Sequence, residues 1–171
     1  MTVTVKVSGL DALRSALLDL APDLRKGPAR IALRKGAQPV KERAIAETPI
    51  LPGDVYNKRG KMIRRAGTLR RAVKIRSSKD TNRTGDVGVF VNYKPLKRAA
   101  IQAFKDATGR RGADNPDDPF YWRWTVFATR KNKNPTRALQ KGGDLLQKES
   151  LPIITGYLKA YFEKLNSKGR G

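Results

Sequence analysis

The chain has 171 residues, enough for one domain with a real core. It contains no cysteine and no histidine, which excludes disulfides, zinc sites built on thiolate or imidazole, and Ser-His-Asp or Cys-His nucleophile systems. Lys and Arg number 37 against 15 Asp and Glu, and a formal net charge of +22 calls for an acidic partner or nucleic acid that neutralises part of it.

Val3, Val5 and Val7 alternate with polar residues, the period of a half-buried strand. This opening has no apolar core of a leader, so no export signal is expected and the producing cell's cytoplasm is the default location. Leu10, Leu13, Leu17, Leu20 and Leu24 then form a helical stripe, with Pro22 able to split it. Gly27-Pro28 punctuates, and a second helix is predicted to about Glu47. Ala29, Ala32, Leu33, Gly36, Ala37, Val40 and Ala44 make its small-residue face; Arg30, Arg34 and Lys41 lie on a basic one. Pro39 should bend this helix, and Thr48-Pro49 should end it.

Residues 49–68 read as a long loop rich in Pro and Gly. Nine basic residues and no acidic one lie between Lys58 and Arg76. Lys58, Arg59, Lys61, Arg64, Arg65, Arg70 and Arg71 are the candidate contacts for a partner or DNA; a solvated basic loop is the bland alternative. Of these, Arg64 and Arg65 are expected, as exposed charges, to contribute little to stability. Thr68–Arg76 and Asp86–Tyr93 are predicted to pair as an antiparallel hairpin, with Leu69, Val73 and Ile75 facing inward and Val87, Val89, Val91 and Tyr93 on one face.

Residues 94–119 read as an insertion. A short helix through Ala107 carries Leu96, Ala100, Ala103 and Phe104 on one side, and a polar loop follows over 109–119. Phe120–Phe127 is the strongest β signal in the chain, and alternation places Trp122 and Trp124 in the core rather than on a base-stacking surface. A last helix is predicted with Leu139, Gly142, Leu146, Ile154, Leu158, Tyr161 and Leu165 at helical spacing, interrupted near Pro152. The tail 167–171 is expected to fray.

No run approaches the ~20 apolar residues of a membrane-spanning helix. Asp114, Asp117 and Asp118 lack EF-hand spacing and read as a solvated turn. The segment 108–113 lacks the Lys and Ser/Thr of a P-loop. Glu42, Glu47, Asp54, Asp80 and Asp86 are scattered rather than paired as acid and base, so neither an enzyme nor a cofactor is expected.

The order of elements resembles the tail-completion, or head-to-tail joining, proteins of long-tailed bacteriophages, the family typified by the lambda tail-completion protein Z. Val5-Lys-Val-Ser-Gly9-Leu10-Asp11-Ala-Leu13 matches the family's opening "V-x-V-x-G-L-D-x-L". The basic Ala-rich helix runs to Ala44-Ile-Ala-Glu-Thr-Pro49, as in the family's "A-x-x-x-P" ending. Gly67-Thr-Leu69-Arg70-Arg-Ala-Val73-Lys-Ile75, Val87-Gly88-Val89, Tyr121–Thr129 and Asn134–Leu139 echo the later motifs in order. Ala128 replaces a family glycine, and a Pro-Phe pair is lost.

The fold expected is a single α+β domain over residues 1–171, an antiparallel sheet of about four strands packed by long helices. The resemblance implies a structural virion protein at the neck or upper tail, assembled in the host cytoplasm. It implies a homo-oligomeric ring, hexameric, that meets a head-completion or connector ring and the tail terminator or tube, with genome DNA in the lumen and no membrane. The alternative is a basic nucleic-acid-binding protein without a virion role, which would bind free DNA with a steep salt slope.

Overall fold

The computed structural model describes residues 22–78, 87–127, 133 and 135–168. The expected strand at Val3–Val7, the leucine stripe before Pro22, the 79–85 connection with Asp86 at the start of the second expected hairpin strand, and residues 169–171 lie outside them. The chain divides into two compact units, with boundaries at Pro39/Val40 inside the first described helix and at Arg76/Ser77, Phe90/Val91 and Gly143/Asp144, so Ser77 and Val89–Phe90, at the ends of two strands given below, belong to the first unit.

Helix α1 spans Pro22–Glu47 and runs through both Pro28 and Pro39, so neither proline ends it. Each removes one backbone hydrogen bond, and the burial of Ala32, Gly36, Ala37, Val40 and Ala44 along one face offsets that loss. In the first unit, Gly36 lies against Ile154 and the Ser150 carbonyl, where an added Cβ would overlap. Lys35 Nζ sits 4.5 Å from the Tyr157 ring centroid. A π-helical turn, Leu146–Ser150, leads into α6, Leu151–Lys168, so the predicted interruption near Pro152 is a change of helical pitch. The same helix carries the expected frayed tail on as far as Lys168.

The second unit holds the hydrophobic core. After α1 come β1 (Val55–Tyr56), β2 (Met62–Arg64), α2 (Thr68–Ala72), β3 (Val73–Ser77) and β4 (Val89–Tyr93). β1 pairs antiparallel with β2, and β3 pairs with β4. The Lys94 N–H donates to the Ala72 carbonyl and the Ser78 N–H to the Gly88 carbonyl; the equal index sums make the second pair antiparallel. Among the described residues the sheets are therefore two separate pairs, and the expected four-stranded sheet is not formed.

Two segments account for the difference. Thr68–Ala72 is helical where a strand was expected, because Gly67 takes a left-handed φ of 73° and starts a helical turn. Leu69 and Val73 are buried as anticipated. The aromatic run 120–127 is also no strand: Trp122–Val126 forms the short helix α4. The Trp122 N–H donates to the Pro119 carbonyl at 2.9 Å and Phe127 N–H to Arg123 at 3.0 Å. Trp122 is half-buried, stacked on Tyr93 with ring centroids 5.3 Å apart, while Trp124 is 59% exposed and packs edge-on to Phe120. Helical spacing brings Trp124 against Phe120 at i,i+4 instead of into the core, so alternation misplaced Trp124.

The core itself comprises Ala44, Leu69, Ala72, Val73, Tyr93 and Val126, with Trp122 and Leu139 packed against it. The 94–119 segment contains α3 (Arg98–Thr108), closed by Gly109 at φ 64°, and a 3₁₀ turn, Gly112–Asp114. Ile101 and Phe104 are its half-buried residues; Ala100 and Ala103 are exposed. The short helix α5 covers Ala138–Gly143.

Candidate functional site

The predicted loop contains the hairpin of β1 and β2. Its turn is set by Asn57, whose N–H donates to the Lys61 carbonyl and whose Oδ1 accepts the N–H groups of Arg59 and Lys61, each at 2.9 Å. Gly60 supplies the left-handed φ of 70° that the turn requires. The Asp54 carboxylate accepts the Ala66 N–H at 2.7 Å and closes the base. Lys58, Arg59 and Lys61 are thereby held at the tip, exposed, and their side chains make no hydrogen bond or ion pair among the described residues. Val55 and Tyr56 beside them are exposed as well.

The other four predicted cations do a different job. Arg64 donates to the Ala113 carbonyl at 2.8 Å, and its guanidinium lies 4.7 Å from the Phe120 ring and 5.3 Å from that of Tyr121. Arg65 pairs with Asp117 at 2.9 Å and donates its N–H to the Pro116 carbonyl. Arg70 donates to the carbonyls of Thr48 at 2.7 Å and Ala46 at 3.3 Å, satisfying orphan acceptors at the α1 C-terminus. Arg71 bonds the Ala66 carbonyl and Thr68 Oγ1, both at 3.1 Å. The run thus divides into a tip and an arginine brace; of the two arginines expected to be exposed charges, Arg65 is exposed although paired, and Arg64 is half-buried.

Sequence reasoning missed three partners of this arrangement. Arg110 donates to the Met62 carbonyl at 2.9 Å and to that of Asp114 at 3.1 Å, tying β2 to the 3₁₀ turn. Asp118, expected in a solvated turn, is buried; so is Asn115. Burial raises the Asp118 carboxyl above its ordinary range, against backbone donors from Leu96 and Phe120 and the Arg64 charge. Burial also raises the Tyr121 hydroxyl, opposed by Arg64 and Arg71. The cluster of Asp, Asn and Pro over 114–119 was a turn signal, but nothing in it told that the turn would be covered.

The hairpin presents positive charge and two apolar side chains on a fixed base. That arrangement can bind an anionic or mixed surface. Among the described residues no group of three carboxylates or other ligands could hold a metal ion, and no helix is long and apolar enough to cross a membrane.

A protein-family model named HK97-gp10-like, described as "Bacteriophage HK97-gp10, putative tail-component", matches residues 11–125, more than half of the chain. Searches of the curated proteins and of the solved structures found no match.

Proposed function

Because the chain belongs to the HK97-gp10-like family of bacteriophage tail components, we propose that it is a structural subunit of the virion whose hairpin tip docks on a neighbouring ring at the junction of head and tail. The observation that carries this reading is the tip itself. Lys58, Arg59 and Lys61 stand free beside exposed Tyr56, on a hairpin whose base is fixed by Arg64, Arg65 and Arg110. A pre-organised tip loses little entropy on docking, and Tyr56 with Arg59 supplies the residue types enriched at interface centres, while Lys58 and Lys61 suit a charged rim. An acidic patch on the partner would neutralise part of the +22 charge and steer the encounter.

In this reading the subunits close into a sixfold ring by head-to-tail contacts, so that the tips act together and weak single contacts add as avidity. The ring sits in the neck or upper tail, between a head-completion or connector ring and the tail terminator or tube. Its work is assembly and not catalysis. The test is electron microscopy of virions that carry a gold-labelled tag on this protein. Label confined to the head–tail junction supports the proposal; label along the tail shaft, or absent from virions, overturns it.

A further inference from the structure

A groove of about 420 Å³ opens in the second unit, away in sequence from the hairpin tip. Its floor is apolar, built by Ala72, Pro95, Leu96, Ala100 and Pro119. Four cations line it: Arg71 on α2, Lys74 on β3, Lys94 just after β4 and Lys97 just before α3. The β3–β4 pairing brings them together, since the Lys94 N–H is bonded to the Ala72 carbonyl at 2.8 Å. Asp117 is the one lining carboxylate, and it is already paired with Arg65 at 2.9 Å. Arg71 bonds only neutral oxygens. The four charges therefore lack a carboxylate partner among the described residues.

We propose that this groove binds an extended acidic peptide segment of another virion protein, its carboxylates meeting Arg71, Lys74, Lys94 and Lys97 and an apolar side chain seated on Leu96. The volume lies within the range of formed ligand sites, roughly 300–1,000 Å³. Cations around an apolar floor suit a ligand that alternates the two characters, as extended peptides do. A phosphate backbone would pair with the cations and leave the floor uncovered. A second copy of this chain cannot supply such a ligand: no two of its 15 acidic residues stand two positions apart in the sequence. The inference does not depend on where in the virion the protein sits.

The test uses the full chain and a fluorescein-labelled nonapeptide alternating Glu or Asp with Leu, followed by fluorescence anisotropy. The parent should bind it, and a Ser–Leu peptide of the same length should bind at least about tenfold more weakly. The Lys94→Glu/Lys97→Glu variant should lose about tenfold in affinity, and the milder Lys94→Gln/Lys97→Gln and Leu96→Asn variants about threefold each, with unchanged circular dichroism. Reversal at the tip, Lys58→Glu/Arg59→Glu, should change the affinity by less than about twofold, which separates this site from the tip. Equal binding of both peptides, or an unaltered affinity in the groove variants, overturns the proposal. So does duplex DNA that binds the parent, is lost in the Lys94→Glu/Lys97→Glu variant and is indifferent to Leu96→Asn, since the groove would then be a phosphate site.

Discussion

Arg64 and Lys58 have the same formal charge and opposite surroundings. Arg64 bonds the Ala113 carbonyl and faces two aromatic rings, whereas the Lys58 side chain is exposed and makes no hydrogen bond or ion pair among the described residues. Arg64→Ala should cost roughly 1–3 kcal/mol, from its hydrogen bonds to the Ile63 and Ala113 carbonyls and the ring contacts. Lys58→Ala should change stability by less than about 0.5 kcal/mol. Urea denaturation of the two variants measures both, and equal effects would mean that Arg64 is not a brace. Tyr93 offers a second test. Its hydroxyl meets Thr48 Oγ1 at 2.5 Å, and burial raises its ionisation above the phenol value of 10.0 despite that bond. The folded state thus holds the proton more firmly than the unfolded one. The stability this gives is complete below pH 10.0 and is lost as pH rises through the folded-state value. Tyr93→Phe should cost about 1 kcal/mol near neutrality and show a shallower alkaline loss of stability than the parent.

Among the elements, those whose burial follows their own period were legible from the sequence. The small-residue face of α1 is where the spacing of Ala32, Gly36, Val40 and Ala44 put it, and the helix ends at Glu47 before Thr48-Pro49. The pairing of β3 with β4 was legible too, through Val73 and Tyr93. The aromatic run was not, because Pro119 and the buried Asp118 turn the chain into a helix that local β preference opposes. The site was half legible: the sequence marked the run of cations but could not separate Lys58, Arg59 and Lys61 from Arg64 and Arg65, which groups on the distant 113–120 segment engage, or from Arg70, which reaches back to the end of α1. Contacts of that separation leave no local periodicity to read. A close approach between helices gives the test at this scale. A Cβ on Gly142 would come within 2.7 Å of the Val40 carbonyl, so Gly142→Ala should destabilise the second unit by about 1–3 kcal/mol. A thermal midpoint equal to the parent's would mean that α5 does not press on α1 there.

For the whole molecule, the charge of +22 and the family membership bear on one question, what the chain meets in the virion. In the proposed ring, a tip repeated in every subunit would give a large local field from small individual contacts, so joining should depend on the tip although stability does not. The most direct measurement is electron microscopy of lysates in which a phage lacking this protein is complemented by the Lys58→Glu/Arg59→Glu/Lys61→Glu variant, with the purified variant's thermal midpoint recorded alongside. The account predicts a midpoint close to the parent's and an accumulation of unjoined heads and tails. Normally joined, infectious particles would contradict it.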